Sequence, residues 1–525
     1  MRRRWSSVRE AVRHWPMGTL LAGGVALRAA ATVAYRSALV YIDTPRYLGH
    51  DERGLDPLGY RYLMLKPLLA LHAGLTGVAI AQHLLGLALG IGIYALVLKR
   101  GAPRILAAIA AAPVLLDAYQ VQAEQLIMPD VLFEVLLFAA AMLILWPAEE
   151  VRTGARVAGA ALILGIAATV RQVGELAVIP LAGYALAVPA QYQLRRAGGG
   201  RAEAAPTRTA TARGAGVLTA LGVFALPVVA YMTLSAAVLG TGFRLSNMDD
   251  AYLYARFAHA ADCATLRVPG EERALCPTAK PSVDDLATAA DSPLYRYGNG
   301  ALVARFDEAV LAQQPLRVAA DVTRDAATLF ALTRDTAQIA RWQFQPAYPV
   351  YQAADRAVLG TGVPRADPAL SAALRWYQLH GGFTPGPLLL AFLISGTVSA
   401  VSPRTPRSLR LTTAVGVAFA LATVGGADLY EFSWRYQLPA LVTLPAAGVL
   451  GAMALVKGGV TSRSPGKGRM NRCIRNRLTS PSPRSGRWTV ASSTPTPGSG
   501  SARTKSSAAM DPAARTPSSN GMTSP

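Results

Sequence analysis

Four short polar stretches of the sequence combine acids and arginines in ways that could do chemistry. YIDTPRYLGHD (residues 41–51) sets Asp43 beside Arg46 and Tyr47, with His50, Asp51 and Glu52 close behind. DAYQVQAEQLIMPD (117–130) carries Asp117, Glu124 and Asp130 without a basic residue. RQVGE (171–175) holds Arg171 and Glu175, and DLYEFSWRYQLP (428–439) holds Asp428, Glu431 and Arg435. A carboxylate within hydrogen-bond reach of a hydroxyl can take its proton as that oxygen attacks. A guanidinium presents a fork of donors that matches phosphate oxygens. Carboxylates gathered together could also hold a divalent cation through oxygen.

The elements that must position these residues are apolar. Of 525 residues, 52% are hydrophobic and 16% charged, against about a quarter charged in soluble domains. A membrane span needs about 20 mostly apolar residues. Ten segments are expected to span: 17–38, 75–98, 104–119, 129–146, 156–172, 174–190, 217–240, 385–401, 411–427 and 438–456. Each polar stretch lies at an apolar segment's end. Acids and arginines there are costly unless paired or solvated, which makes each stretch a site hypothesis.

Charge sets the expected orientation. Arg2, Arg3, Arg4, Arg9 and Arg13 precede the first segment, and Lys99, Arg100 and Arg104 follow the second. Arg152 and Arg156 follow the fourth, and Arg195, Arg196, Arg201, Arg208 and Arg213 lie between the sixth and seventh. Arg404, Arg407 and Arg410 follow the eighth, and Lys457 the tenth. Every second loop is basic, which by the positive-inside rule puts both termini in the cytoplasm and all four polar stretches outside. Ten of the net +21 charges come from residues 460–525, where eleven Lys/Arg face the one acid Asp511. The basic excess therefore reports orientation, and no nucleic-acid partner is expected.

The expected organisation is a basic cytoplasmic N-terminus (1–16), a bundle over 17–240, an extracytoplasmic helical domain over 241–384, a second bundle part over 385–456 and a disordered basic tail over 457–525. External loops cover 41–74 and 117–130, and a Gly/Ala/Thr/Arg-rich cytoplasmic linker covers 191–216. Pro315 is expected to open a helix, since proline suits a first turn. Cys263 and Cys276, thirteen residues apart in the outer region, are expected to form a disulfide, which oxidising compartments permit. GLALG (86–90) fits a close helix–helix contact. No phosphate-cradling glycine loop and no metal-spaced Cys/His cluster is present in the sequence.

The pattern resembles the C-type membrane glycosyltransferases (GT-C superfamily), a group that includes protein O-mannosyltransferases and the lipid A aminoarabinose transferase. DTPRYLGHDERGLDPLGYRYLMLKPLLAL is similar to their acidic first external loop, with Asp43 and then Tyr47. EQLIMPDVLFEVLL resembles the second acidic motif, with Asp130 in the acidic position. ATVRQVGELAVIPLAGYAL resembles an arginine turn between later spans, and WRYQLPALVTLP the RY..PA entry to a late span. The first loop departs from the paired DE of other members, because Thr44 follows Asp43.

This resemblance implies an all-α membrane protein of about ten transmembrane helices and an inverting transfer of sugar from a polyprenyl-phosphate donor. The acceptor would be a glycan, lipid or protein outside the cytoplasm. Asp43 is the expected general base, and Arg435 and Arg171 the phosphate-binding residues, with Arg46, Arg61 and Lys66 behind them. Asp130, Glu124 and Tyr47 are candidate substrate contacts, the two acids also candidate ligands of a divalent cation with Asp43. Plainer readings stand beside these. Asp43 could cap a helix or pair with Arg46, and Asp130 could serve the helix dipole. Arg435 between Trp434 and Tyr436 is also what an interfacial anchor looks like. Arg28, inside the first segment, could snorkel to the outer surface. A transporter or lipid flippase is the alternative function; it predicts internal repeats and broken mid-membrane helices, and the sequence shows no repeat.

Overall fold

The computed structural model describes residues 14–41, 43–49, 57–147, 153–197, 206–239, 242–246, 249–298, 300–334, 342–350 and 364–462. His50, Asp51, Glu52, the arginines before residue 14, linker residues 198–205 and the tail from 463 lie outside that set. All described residues fall within one compact unit, Met1–Arg463.

The described chain is helical. The first part comprises α1 (Trp15–Ala34), α2 (Thr44–Leu48), α3 (Gly74–Lys99), α4 (Arg104–Leu116), α5 (Ala118–Gln125), α6 (Asp130–Leu145), α7 (Thr153–Val170), α8 (Val178–Ala197) and α9 (Pro206–Leu234). The outer region adds α10 (Asp249–Ala260), α11 (Val283–Thr288), α12 (Gly300–Gln313), α13 (Pro315–Thr328) and α14 (Pro368–Leu379). The bundle resumes with α15 (Gly386–Val401), α16 (Arg407–Tyr430) and α17 (Ala440–Ser462). As expected, Pro315 opens a helix. Among the described residues there is no strand; one isolated parallel bridge pairs Leu39 with Leu126.

Each of the ten expected segments forms helix, but among the described residues six helices are long and apolar enough to cross a membrane, or seven if a bent pair counts as one span. That is fewer than the ten expected. The bent pair is α4 with α5, which meet at 47°. Asp117 causes the break: it leaves helical geometry and its carboxylate accepts the Tyr119 amide, capping a new helix. Segment 129–146 gives a helix of 16 residues, starting behind Pro129, and segment 385–401 another of 16, behind Pro385. At about 1.5 Å per residue such helices fall short of the bilayer's hydrocarbon core of about 30 Å. Segment 174–190 is preceded by a 3-10 turn over Gln172–Ala177.

Burial differs sharply around the bundle. The stretch Trp434–Lys457 is 83% buried and Gly214–Val238 only 6%, so α17 is a central helix and α9 turns nearly its whole apolar surface outward. α17 packs on α15 and α16, and α7 on α6 and α9. At the C-terminal end of α6, the guanidiniums of Arg100 and Arg156 cap the last carbonyls, those of Leu145 and Trp146.

The outer region divides in two. Residues from α10 to α13 build a small core of their own around Tyr254, Leu286 and Phe306, closed by the Cys263–Cys276 disulfide. Arg256, fully buried, ties α10 to α13 by donating to Asp321 and Asp325 at 2.6 Å each. The remainder joins the bundle instead: Trp342, Phe344, Tyr348 and Leu374 belong to the bundle core. Arg334 fixes that junction, 3.1 Å from the Asp117 carboxylate and stacked on Tyr119, Phe383 and Trp434. The expected single domain over 241–384 is thus one small core plus a segment woven into the bundle.

Candidate active site

The site begins with how the first loop is held. After α1 the chain pairs with the segment after α5: Leu39 N–H donates to Gln125 O at 2.9 Å, and Ile127 N–H donates to Leu39 O at 3.0 Å. The Thr44 hydroxyl accepts from Tyr41 N–H and donates to Ile127 O. These bonds seat Asp43, just before the short helix α2, next to the start of α6 where Asp130 lies. α2 stops at Gly49 with φ 89°, a left-handed conformation that glycine adopts freely. A Cβ there would lie 2.6 Å from Arg61 Nη2.

Asp130 is 2% exposed and joins two guanidiniums. Arg171, in the turn after α7, donates to its Oδ1, and Arg435 Nε stands 3.7 Å from the same oxygen. Arg435 also reaches Asp43 Oδ2 at 3.4 Å, while Arg46 approaches Asp43 Oδ1 at 3.7 Å. Rings surround the arginines: Tyr41, Trp342 and Tyr436 pack on Arg435, and Tyr436 also on Arg171. Such cation–π contacts orient a guanidinium without neutralising it.

These groups border a cavity of about 110 Å³ lined by Asp43, Tyr47, Arg171 and Arg435. Four of the six residues singled out as catalytic or substrate-binding therefore face one space, and Asp130 lies directly behind its two arginines. Tyr47 is packed edge-on against Tyr60 at 5.3 Å, which fixes the wall it forms. Sequence reasoning gave no individual catalytic or binding role to three further lining residues, Tyr252, Glu431 and Tyr436, although Glu431 stands in a stretch singled out as a site hypothesis. Tyr252 comes from α10, so the small outer core reaches the cavity; its hydroxyl is held at 3.3 Å from Asp284 on α11. Burial, with Glu431 and other acids nearby, raises the Tyr252 pKa. Glu431 follows the last residue of α16, where the helix ends on its N–H bond to Ala427 O. Burial first, then the negative charge of Asp284, pushes its carboxyl up to about 8.

Glu124 does not belong to this cavity, a correction to its expected role. Its carboxylate, 0% exposed, takes two bonds from Arg28 at 2.7 and 2.6 Å and a contact from His83 Nδ1 at 2.9 Å. Arg28 is 3% exposed and does not snorkel; it also donates to the carbonyls of Gly24, Val114 and Leu115. Gly86 of GLALG lacks a side chain for a local reason: the Glu124 carboxylate occupies the place of its Cβ. The signal for this cluster was present as Gln82 and His83, polar residues inside the otherwise apolar α3.

Asp43, Glu124 and Asp130 do not converge on one point. Among the described residues no group of three or more His, Cys, Asp or Glu is placed to hold an ion. Asp43 and Asp130 have Arg435 between them, and Glu124 is taken up by Arg28 and His83. The cation these carboxylates already serve is guanidinium.

No protein-family model matches the chain, and no curated protein matches it in sequence. Its structure is similar to the archaeal oligosaccharyltransferase AglB from Archaeoglobus fulgidus, solved in complex with an inhibitory peptide and a dolichol-phosphate. The TM-score is 0.37 at 12% identity, over 89% of this chain and 52% of that one. The chain thus spans about half the length of that protein. A likeness this loose carries no argument about chemistry, which rests on the cavity itself.

The cavity offers two cations on aromatic backing, two carboxylates in unlike surroundings, and several hydroxyls. That set can hold an anionic leaving group and accept one proton beside it. Every element end around it is one that the helix alternation puts on the same side: the ends of α1, α7 and α16 and the starts of α6 and α17.

Proposed function

We propose that the protein is an integral membrane glycosyltransferase that moves a sugar from a polyprenyl-phosphate donor to a glycan, lipid or protein acceptor at the extracytoplasmic surface. One observation carries the reading. Asp43, Asp130, Arg171 and Arg435 are separated by up to 392 residues, yet all belong to one charged cluster, and three of them line its cavity. The departing lipid phosphate is stable as an anion and needs cations more than it needs an acid. Arg171 and Arg435, fixed in direction by Asp130 and the ring of Tyr436, suit that task because preorganised donors cost no rearrangement when charge develops. A single displacement at the anomeric carbon inverts it.

The acceptor proton must pass to a carboxylate of the same cavity, which holds Asp43 and Glu431. Both termini lie in the cytoplasm in this reading, and the apolar walls between helices accommodate the lipid chain. The test is sugar transfer by the purified full chain in nanodiscs, supplied with polyprenyl-phosphate sugars. Transfer that is lost with Arg435→Gln supports the reading; transfer that survives that change at the wild-type rate overturns it.

A further inference from the structure

Asp43 has the expected position for a base but poor surroundings for one. It lies between Arg46 at 3.7 Å and Arg435 at 3.4 Å, and taking a proton would weaken both pairs. Both contacts hold the Asp43 carboxylate to guanidiniums rather than leaving it open to an acceptor hydroxyl. Glu431 is placed differently. It lines the same cavity, and among the described residues no side chain donates a hydrogen bond to its carboxyl.

We propose that Glu431, not Asp43, is the catalytic base that takes the acceptor's proton, and that Asp43 is a positioning residue that aims Arg435. The proposal rests on the glycosyltransfer reading above. As the acceptor oxygen forms its bond to the anomeric carbon, its O–H proton passes to the Glu431 carboxylate. The bond from that carbon to the phosphate oxygen breaks, and its electron pair stays on the phosphate, facing Arg435 and Arg171. The proton then leaves Glu431 for water through the open side of the cavity.

Charged and titratable groups face Glu431 from every neighbouring element. Asp284 on α11 and Asp43 before α2 oppose its ionisation, while Arg435 and, on α10, Arg256 favour it. Tyr252 on α10 and Tyr436 complete the surround. Burial and the two acids prevail, which leaves the carboxyl at about 8. A base is most effective when its pKa lies near the working pH.

The experiment follows transfer by the full chain in nanodiscs, from a polyprenyl-phosphate sugar, between pH 6 and pH 9.5 as about the usable range. Wild-type kcat/KM should rise about tenfold per pH unit and level off near 8. Glu431→Gln should lower transfer about 10²- to 10⁴-fold, abolish the rising limb and leave polyprenyl-phosphate binding intact. Glu431→Asp should recover part of the rate, and Asp43→Asn should keep the limb. A flat wild-type profile, a rate that falls above pH 8, or a Gln variant as fast as wild type overturns the assignment while glycosyltransfer stands. Infrared difference spectra give a readout independent of turnover: a protonated carboxyl band at neutral pH that disappears with Glu431→Gln. Its absence overturns the proposal. A wild-type protein that transfers no sugar at any pH overturns the glycosyltransfer reading itself.

Discussion

Two arginine–carboxylate clusters, built from the same chemical parts, have opposite character. In the closed one, inside the bundle, every guanidinium nitrogen of Arg28 has an acceptor, and Glu124 is engaged at both oxygens. In the open one, at the cavity, Arg435 Nε and Asp130 Oδ2 are buried without a hydrogen-bond partner, and the Asp43–Arg435 contact is a loose 3.4 Å. Buried polar groups are almost always satisfied, so the exceptions call for a reason. A network with all its bonds made fixes one packing arrangement, whereas one with bonds left to make beside a cavity is arranged for a ligand. Sequence separation does not distinguish the two: Arg28 and Glu124 are 96 residues apart. Hydrogen bonding of the central guanidinium does: complete at Arg28, incomplete at Arg435.

The comparison breaks if the two clusters respond alike to substitution. The largest effect is expected in the closed cluster. Glu124→Ala leaves Arg28 buried without its counter-charge, which costs about 3–5 kcal/mol; the melting temperature of the purified protein should collapse or the folded chain fail to accumulate. Next, Arg435→Gln should lower sugar transfer about 10²- to 10³-fold, the loss seen when one preorganised donor is removed, with melting close to wild type. Asp43→Asn should reduce transfer about tenfold, equivalent to about 1.4 kcal/mol of misdirected Arg435. A further effect concerns stability against pH. Glu431 has its folded pKa raised from 4.5 to about 8. Its proton is held more tightly in the folded state, so its contribution is fully present below pH 4.5 and is lost as pH rises through about 8. Melting curves recorded across that range should show a decline in wild type that Glu431→Gln removes.

Much of the open cluster was legible because its members stand at the borders of apolar runs, where charge needs a reason. Asp43, Asp130, Arg171 and Arg435 each gave that signal, and the helix alternation placed their segments on one side. What the sequence could not supply was the neighbour of each charge. Asp130 reads equally as a helix-dipole acid until Arg171 is seen on it. Glu124 stands in the same acidic loop as Asp130 and looks equivalent, yet α5 turns it inward to Arg28 while α6 begins with Asp130 at the cavity. Arg28 resembles a snorkelling residue because its pairing crosses the bundle and has no local pattern. Fewer full-length spanning helices are described than the ten segments expected for a related reason: composition marks an apolar run, but the break at Asp117 and the starts behind Pro129 and Pro385 depend on caps and turns that shorten helices. Tyr252 had no chance of detection, since its place at the cavity follows from how the small outer core meets α16.

Phosphate capture by Arg171 and Arg435 is the claim on which the whole account stands. Its most direct test is the affinity of polyprenyl phosphate for the purified full chain in nanodiscs, measured for wild type, Arg171→Gln, Arg435→Gln and Glu124→Gln. Saturable binding that drops at least tenfold with either cavity arginine, and holds in whatever Glu124→Gln protein remains folded, is the predicted result. Binding that is absent in wild type, or that ignores both cavity substitutions, would contradict it.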